Sequence, residues 1–426
     1  MYEIMKKFEF TGETKTINLL FGTATLHRIR AVAKFGFVEI GELGGWIEKE
    51  ENLSHEENAW VYGDAKVYGN AKVYGNAEVR DKAEVCGNAI VYGNAKVGED
   101  AKVYGKAGVY GNAEVCGNAK VYGNAKVGED AEVYDNAEVC GNAEVCGNAQ
   151  IYDNAEVYDK AEVYGNAQIY GNAKVRADAK VYGKAEVCGK AGVRGKAEIW
   201  DDAKVYDNAI VCEDANVYGN AQIYGNAKVR ADAKVYGKAG VRGKAEIRDD
   251  ANVYGNANVY GNAKIYGNAK VYDNAKVWDD AKVYDNAEVC GNAKVWDDAK
   301  VYVNAKVYSN AEVYSNAKVY GNAKVYGNAE VCGKAEVCGK AEVFSTRHVL
   351  VIGTIGSQDD FATFYRDKDN EITVKCGYFL DKIDKFLEKV TETHGDSNYA
   401  LVCRAAVEAA RLQIDLSNEV TKDADE

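Results

Sequence analysis

The sequence predicts an all-β solenoid, a single-stranded parallel β-helix of about 16 triangular coils. Three observations predict it. First, 48 hexapeptides follow one another without a break from Ala59, each opening on Ala and carrying Val or Ile at its third place, as in Ala71-Lys72-Val73-Tyr74-Gly75-Asn76. Second, each unit ends in a turn-forming pair, most often Gly-Asn, spaced as a corner would be. Third, the 426 residues contain no proline, which suits a chain whose backbone amides are nearly all needed in ladders.

Within the hexapeptide, the first and third residues share one face of an extended strand. Ala and Val therefore point inward, while the second residue (mostly Lys or Glu) and the fourth (mostly Tyr) point outward. Gly-Asn turns the corner. Asp replaces Gly at Asp135, Asp207 and Asp273, so the sixth residue, Asn, Asp or Lys, is expected to carry the left-handed dihedral. Three edges close a triangle, and stacked triangles bury a column of Val and Ala. Each inward Val contributes roughly 1.5–3 kcal/mol of burial. Sixteen coils would span on the order of 77 Å.

Four segments follow from this period. Residues 1–58 read as an N-terminal cap with a degenerate first coil. Lys7-Phe8-Glu9-Phe10 and Thr23 to Ile40 alternate like strands. Ile47 to Asn52 and Leu53 to Asn58 keep the corner Asn and lose the inward Val. Such a cap covers a strand edge that would otherwise invite end-to-end association. Residues 59–346 are the repeat. Residues 347–416 form a small α+β module. It has a strand from His348, a hairpin with Phe361–Arg366 and Ile372–Cys376 flanking Asp367-Lys368-Asp369-Asn370, a helix through Leu380, Ile383, Phe386, Leu387 and Val390 that stops at Gly395, and a second helix from Ser397 to Gln413. Residues 417–426 are acidic and expected to be disordered.

Here a family resemblance enters. Val-Tyr-Gly-Asn-Ala-Lys resembles the hexapeptide repeat of left-handed parallel β-helix proteins. With Tyr after the aliphatic residue and Gly one place later, it is similar to the YdcK-like and phage-encoded tandem-repeat branch rather than the acyltransferase branch. Gly44-Gly45-Trp46-Ile47-Glu48 resembles a segment of phage and prophage repeat proteins. Gly356-Ser357, Phe364-Tyr365, Cys376-Gly377 and His394-Gly395-Asp396 resemble a C-terminal module of phage proteins. The resemblance implies left-handedness, which the period alone does not give, and a phage or prophage origin.

Composition limits the function. The net charge of −13 argues against a general nucleic-acid binder, which needs a basic footprint. Met1 to Lys7 is followed by no apolar core segment, and no stretch approaches the roughly 18 apolar residues of a membrane helix. A cytoplasmic protein is the expectation. Of the 11 cysteines, nine (Cys86, Cys116, Cys140, Cys146, Cys188, Cys212, Cys290, Cys332 and Cys338) take the outward Tyr place, and no two of them are one whole coil apart. They read as free thiols in a reducing compartment, and the spacing leaves no Cys-based metal site on the coils. No cofactor is expected.

Candidate sites are few. The acyltransferases of the resembled family place a catalytic His on the coils, and general-base chemistry wants such a group. Here His27, His55, His348 and His394 all lie outside residues 59–344. Cys376 and His394 could pair as a nucleophile and its base, but no third orienting group stands out. Tyr164, Tyr182, Trp200, Tyr218, Tyr236, Tyr254 and Tyr272 recur once per coil on one face. They could bind a sugar or a strand, or simply stack on one another. Arg176, Arg194, Arg230 and Arg248 form a stripe on a second face beside Lys174 and Lys228, diluted by Glu156 and Glu246. It could hold an anionic partner or be a solvated surface.

Internal duplications ignore the coil. Ala167–Arg176 recurs nine hexapeptides on, which is a whole number of coils. Ala191–Arg194 recurs eight hexapeptides on and Val97–Asp100 five, and neither is a multiple of three. Selection on a fixed facial arrangement would not tolerate such slips. The expectation is a non-enzymatic β-helical rod that presents end domains to a protein partner, with homo-oligomerisation open. The C-terminal module, through Tyr365, Cys376, Phe379 and His394, is the expected binding element. A hexapeptide acyltransferase and an acidic decoy of a host protein are the alternatives.

Overall fold

The computed structural model describes residues 5–20 and 22–417. The chain divides into two units, Met1–Asp214 and Ala215–Glu426, and each is taken by itself. Residues 418–426, nearly all of the acidic segment expected to be disordered, lie outside the described residues.

Each unit is built on a parallel β-solenoid. Every hexapeptide contributes one short edge strand, and each edge pairs in register with the matching edge of the next coil. Val121 faces Val139 in the first unit and Val259 faces Val277 in the second. Second, fourth and sixth amides donate to the first, third and fifth carbonyls of the next coil. Lys102 to Ala119 (2.9 Å), Tyr104 to Val121 (3.0 Å) and Lys106 to Gly123 (2.6 Å) are typical. The inward Ala and Val or Ile of all the hexapeptides are fully buried, as the pattern requires.

The corner departs from expectation by one residue. The left-handed dihedral sits on the fifth residue whatever its identity, as at Gly123 (φ 74°), Asp135 (57°), Ala177 (61°) and Val303 (66°). The sixth residue is spared because its amide must donate up the stack, and its side chain joins a ladder. Asn58, Asn76 and Asn94 each donate to the corresponding Asn of the next coil. Asp is a common replacement at the fifth place for a reason beyond dihedral tolerance. Its carboxylate accepts the fifth-place amide of the next coil, as Asp153 does from Gly171 (3.0 Å) and Asp297 from Ser315 (3.2 Å). A charge-assisted bond offsets the backbone cost.

In the first unit the cap opens with β1 (Phe8–Asn18) and β2 (Thr23–Ala31), paired antiparallel. The strand expected to reach Ile40 ends at Ala31, and turns occupy most of the way to β3 (Leu43–Ile47). β3 is antiparallel to β2 and parallel to Lys66–Val67, so it converts one kind of sheet into the other. Gly44 and Gly45 permit this contact. A Cβ on either would stand 2.6–2.8 Å from Ile29, Trp60, Val61 or the Ala65 carbonyl. The degenerate coil is not missing its inward residues. Ile47 pairs with Val67 and Leu53 bridges to Val73, in both cases two places further along the chain than the regular spacing. Two extra residues between Leu53 and Asn58 absorb the difference. Lys7 closes the end, its buried ammonium donating to the carbonyls of Ala59 (2.8 Å), Glu56 and Glu57 (both 3.4 Å). Burial pushes the ammonium down to about 8, against the pull of Glu57.

In the second unit the coils end at Glu342–Val343. The module continues as four antiparallel strands, β4 (Val349–Ile355), β5 (Asp360–Arg366), β6 (Ile372–Cys376) and β7 (Phe379–Lys382), then α1 (Ile383–His394) and α2 (Asn398–Gln413). Gly395 ends α1, as read from sequence, while Ser397, expected as the first residue of α2, caps it instead with its hydroxyl. β7 is an addition. Leu380 has helical spacing from Ile383 but belongs to this strand, which turns back through Gly377 (φ 53°) and Tyr378. Phe364, Val374, Phe386, Val390, Cys403 and Val407 form the centre of a core that belongs to the module alone.

Candidate functional site

The aromatic row on the first expected face is a true ladder in the second unit. Tyr218, Tyr236, Tyr254 and Tyr272 stack with ring centroids 4.8–4.9 Å apart and planes within 3°. In the first unit, Tyr164 donates to Glu144 (3.1 Å). Tyr182 is pushed up to about 12 by burial and by Glu198. Trp200 is half-buried. The ladder is not confined to one face. Tyr260, Trp278, Trp296 and Tyr314 stack on a second face, and Tyr266, Tyr284, Tyr302 and Tyr320 on the third. The same once-per-coil recurrence could have revealed both. A ladder on every face is what self-stacking along a parallel sheet produces, and it gives no face a binding identity.

All 11 cysteines are free thiols. Several stand one coil above a Tyr whose phenol reaches up the same row to the thiol and to a Glu two residues before it. Tyr122 with Cys140 and Glu138, and Tyr170 with Cys188 and Glu186, are examples. Burial raises these thiols, which keeps them protonated and poor nucleophiles. The outward second places carry Lys–Glu pairs between coils, such as Lys66–Glu84 (2.6 Å) and Lys294–Glu312 (2.7 Å). Partly exposed pairs of this kind contribute about 0–1 kcal/mol each.

The arginine stripe separates into two unlike pairs. In the second unit, Arg230 is ion-paired with Glu246, and Arg248 lies over the Tyr266 ring (4.7 Å). In the first, Arg176 donates to the Tyr158 hydroxyl (3.1 Å) and lines a groove with Lys174, Lys190 and Arg194.

The four residues singled out in the module have two roles. Tyr365 is fully buried and its hydroxyl donates to the Cys338 carbonyl (3.1 Å), so it fastens the module to the last coil and is not available to a partner. Cys376, Phe379 and His394 do converge, around a cavity of about 140 Å³ that Cys403 also lines. Burial, then Asp360 and Cys403, push the Cys376 thiol up to about 11, which leaves no thiolate for attack at neutral pH. The other histidines serve packing. His55 stacks on Phe8 (4.3 Å) and bonds Glu50 (2.7 Å), and His27 lies against Phe10 (4.9 Å). His348 is buried, accepts the Phe344 amide (3.3 Å) and packs edge-on to the Phe344 ring.

Among the described residues no group of three His, Cys, Asp or Glu is placed to hold a metal ion, and no helix is long and apolar enough to cross a membrane. No protein-family model matches the chain, and no curated protein matches it.

Proposed function

We propose that this chain is a non-enzymatic interaction protein, in which the solenoid is a spacer and the C-terminal module takes a protein partner. The observation that carries the reading is the module's division of labour. Tyr365, Thr363 and Arg366 are spent on the last coil, while Tyr378 is fully exposed, Leu412 largely so, and Tyr399, Leu401 and Val402 about half exposed. Exposed apolar side chains on a module with its own core favour partner contact. The facial slips among the repeats support a spacer, since a surface evolved for one partner would keep its register. A phage or prophage origin, a cytoplasmic setting and membership of the left-handed hexapeptide-repeat proteins belong to the same reading, through the resemblance of the repeat. Residues 59–344 offer no His as general base, which weighs against acyl transfer.

The test is copurification from the native host with full-length protein and with a Tyr378→Ser, Leu412→Ser double variant. Loss of the same partner from the variant, with its melting curve unchanged, is expected. Retention would move the binding site off the module.

A further inference from the structure

On one face of the first unit, the outward second places of successive coils are Glu156, Lys174, Gly192 and Ile210, and the fourth places are Tyr158, Arg176, Arg194 and Cys212. Gly192 interrupts the row. Nothing lies within 4 Å of the position its Cβ would take, and a groove of about 470 Å³ opens there. Lys174, Arg176, Lys190 and Arg194 line it with Ile210. Glu156 neutralises Lys174 (2.9 Å). Arg176 is steadied by a neutral phenol, so its charge remains. Arg176, Lys190 and Arg194 have no ion-pair partner among the described residues. Three uncompensated cations thus border a half-apolar hollow on a chain of net charge −13.

The second unit supplies an internal control. Arg230 and Arg248 correspond there to Arg176 and Arg194, with Lys228 for Lys174 and Lys244 for Lys190. Glu246 stands where Gly192 stands and pairs with Arg230. Asp249 stands where Gly195 stands and lies 3.9 Å from Arg248, so in the second unit each arginine has a carboxylate that its counterpart in the first unit lacks.

We infer that the groove at Gly192 binds a phosphate-bearing small molecule. Arg176 and Arg194 rise from adjacent coils, one strand spacing of about 4.8 Å apart, and guanidinium groups are suited to phosphoryl oxygens. Three net charges favour a multiply charged anion over a single carboxylate. Gly192 and Ile210 give an apolar surface for the rest of the ligand, and the volume falls within the usual range for small-molecule sites.

Inorganic pyrophosphate, titrated calorimetrically into the full-length protein at low and at physiological salt, is the probe. One saturating equivalent is expected. Gly192→Glu copies the second unit and adds a side chain pointing into open space, so the melting curve should not move. Its affinity should fall roughly tenfold or more, because the new carboxylate pairs with Arg176. Absence of saturable binding to the wild type, or equal affinity in a folded Gly192→Glu protein, would overturn the inference.

Discussion

The two ends of the repeat are closed by different means. At the N-terminal end the chain extends the ladder with its own backbone. β3 pairs in parallel with Lys66–Val67, Leu53 bridges to Val73, and Lys7 donates to carbonyls that no further coil could serve. At the C-terminal end a module with its own core reaches back with side chains and one short backbone bridge. Thr363 accepts from the Glu336 amide, and Tyr365 donates to Cys338. Ala341 bridges to Asp367, and Lys368 donates to the Lys340 carbonyl. The cap has little identity apart from the solenoid it finishes. The module spends few residues on closure, and the remainder of its surface is free for another task.

Four perturbations sharpen or break that contrast. The largest concerns pH at the C-terminal junction. Burial, then Arg366, hold His348 down at about 4, below its ordinary 6.5. The unfolded chain therefore takes up the proton first as pH falls. Stability is fully present above about 6.5 and is lost towards 4, by up to about 3 kcal/mol. Denaturant unfolding at several pH values should show this slope in the wild type and a shallower one in His348→Gln. Equal slopes would remove His348 from the junction.

Next, Lys7→Met leaves the Ala59 carbonyl buried without its donor, at a cost of about 2 kcal/mol. Hydrogen exchange should quicken in the first coils. Tyr365→Phe should cost about 1 kcal/mol and loosen only the module's grip. Exchange should rise across Ala335–Phe344 while α1 and α2 keep their protection. If α1 and α2 lose protection equally, the module is not autonomous. The smallest effect belongs to neither end. Val303 holds a β-branched side chain at φ 66°, so Val303→Gly should stabilise by about 1 kcal/mol, raising the melting temperature without changing exchange at the cap or the module.

The sequence is most legible where one side chain does one job. Every inward Ala and Val can be placed from the period, because burial tolerates nothing else there. The corner reads one residue out of place because Asn is a frequent left-handed residue in general. Here the fifth place takes that dihedral and the sixth donates up the stack. The first coil misleads a reading anchored on Asn52 and Asn58. Aliphatic Ile47 and Leu53 set the register, and the two extra residues before Asn58 hide it. β7 escapes notice because Leu380, Ile383 and Phe386 also fit a helix, although Gly377-Tyr378 marks a two-residue turn. At the candidate sites, composition shows the arginines. The dilution by Glu246 is legible too, but not that Glu246 pairs with Arg230 while Gly192 leaves a groove beside Arg176, because that depends on which side chains meet across coils.

The central claim is that protein partners are met by the module and that no protein partner reads a fixed facial arrangement of the coils upstream of it. Deleting one whole hexapeptide of the second unit, Ala281–Asn286, tests it most directly. The inward column and the corner pattern are preserved, but the coils before the cut meet those after it a third of a turn out of step. The account predicts a folded protein that copurifies with the same partner as the wild type. A folded deletion variant that has lost that partner would contradict it.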